Sequence, residues 1–155
     1  MGLHKKEYVL LVQESKEMLY RIAYGYLGNE TLSIDAVDEA VYLGYVHRKE
    51  VRNKAYSKTW LTRILINECY RLQKRQKREF ITETLPELVS EDVFESIPLK
   101  EALQKLQDDL KKVILLRYFG GYTIAETATI LEIPEGTVAT RTKKALSLLK
   151  VDLDV

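Results

Sequence analysis

The feature that most constrains this chain is the spacing of its apolar residues, which recur every three or four positions and never alternate over a useful length. From Tyr8 they fall at Leu11, Val12, Leu19, Ile22, Ala23 and Tyr26, and the stripe stops at Gly28-Asn29. That period lays them on one helical face, and a glycine after the last apolar residue is a common helix stop because it enters the left-handed region without steric cost. A second face runs through Val37, Ala40, Val41, Gly44 and Tyr45 and ends near Lys49, with Ser33 as the predicted N-cap. The polar stretch from Glu50 to Tyr56 reads as a loop. Ser57 is then placed to cap a third helix with Leu61, Ile64, Leu65 and Leu72 inward.

Between Phe80 and Ser96 the chain holds Thr, Glu, Ser and Pro86 with no sustained period, as a linker does. Two helical modules are therefore predicted, 1–80 and 96–155, joined by a linker at 81–95. In the second module, Ser96 and Pro98 mark a helix start whose stripe is Ala102, Leu103 and Leu106. Val113, Ile114, Leu116 and Phe119 form another short helix that closes at Gly120-Gly121. Thr123-Ile124-Ala125-Glu126 has the form of a capping box, in which hydroxyl and carboxylate each satisfy a first-turn amide. The next helix breaks at Glu132-Ile133-Pro134, and a last one carries Val138, Thr142, Ala145 and Leu149 on one face. The chain is predicted to be all-α, two small domains on a flexible linker.

Hydrophobic residues make up 46% and charged residues 30%, enough apolar material for packed cores and too much for general disorder. No apolar run approaches the roughly 18 residues of a membrane span, and the stretch after Met1 is polar, so the expectation is a cytoplasmic protein with no membrane insertion. The single cysteine, Cys69, rules out an intrachain disulfide and reads as a small buried residue. His4 and His47 stand alone, so no metal or cofactor is expected. A net charge of +1 is weak for a protein that must hold DNA unaided. Its distribution is uneven: Arg71, Lys74, Arg75, Lys77 and Arg78 precede an acidic segment with Glu83, Glu87, Glu91, Asp92 and Glu95.

Two helices joined by a tight turn, the second with a basic outer face, is an arrangement that places a helix in a DNA major groove. With Val138, Thr142, Ala145 and Leu149 inward, Glu135, Gly136, Thr137, Ala139, Thr140, Lys143 and Lys144 lie on or beside the opposite face. Arg141 and Lys144 are placed to reach phosphates or guanine edges, and Thr137 and Thr140 to hydrogen-bond to bases or phosphates. The amides from Glu135 to Thr137 offer an anion site at a helix N-terminus. By periodicity alone, a helical hairpin with solvated charges fits equally well. The wording of the motif separates them. Leu115-Leu116-Arg117-Tyr118-Phe119, Tyr122 to Ala128, Ile133 to Val138 and Arg141 resemble region 4 of sigma-70-family factors, which implies reading of the minus-35 promoter element. Where that family usually has a basic residue, this chain has Ala139.

Asp35, Asp38 and Glu39 crowd one side of the second helix, as a docking surface or an acid–base site would. Asp35-Ala36-Val37-Asp38-Glu39-Ala40, followed by Leu43, resembles the region 2.2 signature of the same family, which implies docking on core RNA polymerase; Asp38 replaces the common glutamine. Downstream, Tyr56, Trp60, Arg63, Asn67, Arg71, Lys74 and Arg75 combine aromatics with a basic row, which suits single strands whose bases stack while cations follow phosphates. Trp60 fits a core position as well, and the basic row fits a solvated helix end. The stretch from Trp60 to Arg75 resembles regions 2.3 and 2.4, implying recognition and melting of the minus-10 element, with a loop from about Arg48 to Lys58 that selects a flipped base. The order of regions and the short linker resemble the extracytoplasmic-function group. The resemblance implies a binding subunit rather than an enzyme, with promoter DNA, core polymerase and an anti-sigma factor as partners. A stand-alone helix-turn-helix regulator and a helical protein without DNA contact remain the alternatives.

Overall fold

The computed structural model describes residues 2–80 and 97–152, and every element in them is helical. Helix α1, Lys5–Leu27, ends as its sequence predicts: Gly28 takes φ 65°, and its amide donates to the Tyr24 carbonyl at 2.8 Å. Helix α2, Glu30–Val46, begins earlier than predicted. Asn29 is its cap, with a side-chain oxygen accepting from the Leu32 amide at 2.8 Å, while Ser33 is buried in the first turn and donates its hydroxyl to the Asn29 carbonyl at 2.6 Å. Both residues cap well, and the one directly after the left-handed glycine prevails because the chain has already reversed there. Helix α2 also stops at Val46 rather than near Lys49, which falls in a 3-10 turn, Arg48–Glu50. The predicted loop contains a second such turn, Lys54–Tyr56, whose Ala55 amide donates to the Asn53 side chain at 3.0 Å. Helix α3, Ser57–Phe80, follows directly.

The predicted linker 81–95 and the Ser96 helix start lie outside the described residues. Helix α4 is Ile97–Lys105 and α5 is Asp108–Ile114. From α5 the chain widens into one π-helical turn, Leu115–Phe119, closed by the Gly120 amide donating to the Leu115 carbonyl at 2.9 Å. Helix α6, Ile124–Leu131, carries the predicted capping box: the Thr123 amide donates to Glu126 Oε1 at 2.9 Å, and the Glu126 amide to Thr123 Oγ1 at 3.1 Å. Glu132 turns the chain at φ 57°, and Pro134 precedes the final helix α7, Glu135–Asp152.

Helices α1, α2 and α3 pack around Leu19, Ile22, Ala23, Ala36, Ala40, Leu61 and Leu65, each removed from solvent. Burying a leucine or isoleucine side chain of this kind contributes about 1.5–3 kcal/mol. Gly44 lets α2 approach closely, since a Cβ there would lie 2.3 Å from the Tyr8 hydroxyl and 2.9 Å from Leu61 Cδ1. That hydroxyl donates to the Val41 carbonyl at 2.5 Å. The core does not stop at the module boundary. Leu115, Leu116, Tyr122 and Ile130 join it, and Tyr24 of α1 packs in a second cluster with Ala102, Leu103, Leu106, Ala145 and Leu149.

A polar seam accompanies this shared core. Lys111, only 1% exposed, donates to the Tyr26 carbonyl at 3.2 Å, and the Tyr26 hydroxyl donates to the Asp108 carboxylate. With its amide nitrogen towards Asp108, Gln73 donates to that carboxylate at 2.8 Å and accepts from Lys111 Nζ at 3.1 Å. Gln104 donates to the Gly25 carbonyl at 3.0 Å, and the Thr62 and Tyr122 hydroxyls meet at 2.6 Å. An ammonium taken out of water is tolerated only with such partners. Cys69 is buried nearby, and burial pushes its thiol well above the ordinary range, so it is held as an unreactive thiol.

Candidate nucleic-acid interface

Helix α7 turns inward the residues its periodicity predicts: Val138 and Ala145 are fully buried, and Thr142 and Leu149 nearly so. The Thr142 hydroxyl is satisfied within the helix, donating to the Val138 carbonyl at 2.7 Å. On the other side Glu135, Gly136, Ala139, Thr140, Lys143 and Lys144 are exposed and Thr137 is half-buried. The predicted anion site narrows, because the Thr137 amide donates to the Pro134 carbonyl at 3.1 Å and is already occupied. Arg141 also differs from expectation. It is half-buried and lies 3.8 Å from the exposed Asp109 carboxylate of α5, a long ion pair that contributes little. No sequence signal linked these two residues, since the pair forms across helices.

Helix α3 carries its row on one face, with Arg63, Asn67, Tyr70, Arg71 and Lys74 all exposed and Arg75 beside them. Tyr70, Arg71, Lys74 and Arg75 line a shallow pocket of about 330 Å³. Two ammonium groups flank the Tyr70 ring, Lys74 at 5.1 Å and Lys112 of α5 at 4.5 Å from its centroid, so Lys112 joins this basic surface although sequence reasoning missed it. Arg71 is held by Glu68 at 2.8 and 3.1 Å; these bonds raise the guanidinium's already high pKa further and offset part of its charge. Arg63 is tied to the Glu132 carboxylate in the turn before α7. Trp60 is half-buried, packed against the cluster of Tyr8 and Val51 and against the main core, with the rest of its ring open. Tyr56, 61% exposed at the end of the loop, is the aromatic open to solvent there.

On α2, Asp35, Asp38 and Glu39 are exposed and Leu43 is half-buried, with the apolar Ile34 and Tyr42 open beside them. Asp38 and Ile34 border an open groove against Lys16, Tyr20 and Arg21 of α1, a surface of mixed charge and apolar character. Among the described residues, no three of His, Cys, Asp and Glu converge as metal ligands, and no helix is long and apolar enough to cross a membrane.

Family models place this geometry. Residues 11–79 match Sigma-70 region 2, and residues 96–149 match Sigma-70, region 4. The chain is 31% identical over 149 residues to the RNA polymerase sigma factor SigV of Bacillus subtilis, spanning 94% of this chain and 90% of that protein. It is 29% identical over 162 residues to the ECF RNA polymerase sigma factor SigW of the same organism, spanning 92% and 87%. In fold it is similar to the sigma factor RpoE of Bartonella quintana, solved with the anti-sigma factor NepR, at a TM-score of 0.75 and 23% identity over 97% of this chain and 96% of that one. With both conserved regions in order and a curated relative matched along nearly its whole length, the chain belongs to the sigma-70 family, in its extracytoplasmic-function group.

Proposed function

We propose that this chain is the promoter-recognition subunit of a bacterial RNA polymerase, with residues 1–80 and 96–155 as its two working modules and 81–95 as the linker between them. Asp35, Asp38, Glu39 and Leu43 dock on core polymerase. Glu135, Gly136, Thr137, Thr140, Arg141, Lys143 and Lys144 read the minus-35 element, and Tyr56, Trp60, Arg63, Asn67, Arg71, Lys74 and Arg75 hold the opened minus-10 strand, Trp60 with one side against the core. The observation that carries the reading is the pairing, in one chain, of an exposed polar and basic face on α7 with a separate basic and aromatic row on α3. The chain contributes binding, polymerase performs the nucleotidyl transfer, and the place of action is the cytoplasm. Low net charge fits this division, because affinity for DNA comes from the assembled holoenzyme.

The packed arrangement then has a mechanical consequence. Elements centred at minus 35 and minus 10 are by that numbering about 25 base pairs apart, or about 85 Å at 3.4 Å per pair. A folded chain of this size has a radius of gyration of about 15 Å. The halves therefore part along the seam when both elements are read, and the closed form is the one an anti-sigma factor would hold; the Bartonella factor was solved with an anti-sigma factor, NepR. In vitro transcription with core enzyme and a promoter library tests the proposal. New start sites that depend on the added chain are expected; no association with core and no new transcripts would refute it. Tight binding of the chain alone to a two-fold symmetric site would favour a stand-alone regulator.

A further inference from the structure

The loop between α2 and α3 is held largely by residues that precede or begin α1. The Gly2 amide donates to the Val51 carbonyl at 3.1 Å and the Leu3 amide to the Arg48 carbonyl at 2.9 Å, so residues 2 and 3 lie along the loop backbone. Leu3, Tyr8 and Val51 close a small apolar cluster, each 5% exposed or less, and Trp60 of α3 packs on its edge. Across the outer side, Glu7 meets Lys54 at 2.9 Å. Gly2 is required for this path: at φ 84°, a Cβ would lie 2.6 Å from the Lys49 Cα and 2.7 Å from its carbonyl oxygen, backbone atoms that cannot swing away.

We infer that residues 2–7 are a positioning strap that fixes the 48–56 loop and thereby sets base selectivity at the minus-10 element. The inference rests on the proposed function, in which Tyr56 at the end of this loop meets the bases of the opened minus-10 strand. A loop free to rearrange adapts to the wrong base as well as the right one, so discrimination requires that its shape be fixed before binding. The loop's own bonds are local, with Asn53 capping the Lys54–Tyr56 turn, His47 pairing with Glu50 and Arg48 donating to the Tyr45 carbonyl at 2.9 Å. Those bonds shape each turn. The strap joins the loop to α1 and to the Trp60 side of α3, which fixes where Asn53 and Tyr56 stand relative to the basic row.

The test uses the full chain bound to bacterial core RNA polymerase, transcribing a barcoded template library randomised at both promoter elements. Gly2→Val forces the strap off the Lys49 backbone, and Leu3→Asp places a carboxylate in the cluster with Tyr8 and Val51. Hydrogen exchange at the Leu3 amide identifies the displaced variants. In those, the preference for the best minus-10 base over its alternatives is expected to fall about tenfold, while minus-35 preference and affinity for core stay unchanged. Full minus-10 selectivity with a fast-exchanging Leu3 amide, in a protein where Tyr56→Ala does lower it, would overturn the strap and leave the loop's role standing. Full selectivity in Tyr56→Ala and Asn53→Ala as well would remove the loop from base reading, and the strap's function with it.

Discussion

Helix α7 presents its outer face to solvent, whereas α3 shares its outer row with the other half of the molecule. On α7, Thr140, Lys143 and Lys144 are open, and only Arg141 leans back on a weak partner, Asp109. On α3, Arg63 is taken by Glu132 and Tyr70 lies under Lys112, and behind the row the buried Thr62 is bonded to Tyr122. In the closed chain the face proposed to read the upstream element is thus open, while two residues of the row proposed to hold the downstream strand, Arg63 and Tyr70, are engaged by the other half. Opening the seam costs the closed form little at the exposed Arg63–Glu132 edge and much at the buried Lys111 centre.

The largest effect is expected at that centre. Lys111→Ala leaves the Tyr26 carbonyl and Gln73 without a donor and opens a void, which should destabilise the chain by about 3 kcal/mol and lower its melting temperature by about 6–12 °C. Calorimetry checks this, and an unchanged transition would show that the seam is not structural. Next, Arg141→Ala should cut minus-35-dependent transcription about 10- to 100-fold through loss of one reading contact, with minus-10 preference retained. Unchanged output at matched protein levels removes Arg141 from the reader.

Alkaline titration probes two of the buried tyrosines. Burial pushes Tyr8 and Tyr122 up to about 12, against about 10 in an unfolded chain. Above pH 10 the unfolded chain releases protons that the folded one retains, so stability is intact below pH 10 and is lost as the pH rises towards 12. Denaturant midpoints at pH 9 and pH 11.5 measure the drop, and Tyr122→Phe should reduce it. The smallest effect is expected at the edge. Glu132→Ala frees Arg63 at about 0.5 kcal/mol or less, visible as slightly faster hydrogen exchange around α6 rather than as a shift in melting.

The elements set by local chemistry were legible in the sequence. The Gly28 stop, the Thr123–Glu126 capping box and the inward face of α7 each depend on residues within one or two turns, and each stands as predicted. Ser33 misled because two capping residues compete at one helix start, and the π-helical turn after Ile114 has no periodic mark that separates it from an α-helix. Trp60 was ambiguous in sequence because an aromatic beside Leu61 and Ile64 suits both core and stacking. The remaining features, Lys111 under Tyr26, Arg141 beside Asp109 and the strap at Gly2, depend on residues far apart in the chain. Periodicity reports which face is buried and is silent about which partner covers it.

The separation of the halves is measured most directly as a distance between labels on α1 and α7, at Glu14→Cys and Ser147→Cys, both exposed positions. Cys69, buried and held as a thiol, can stay in place. The account predicts one short distance in the free chain, lengthened by on the order of 30 Å or more once the chain is in a transcribing promoter complex. An unchanged short distance in that complex, or a long distance in the free chain, would contradict it.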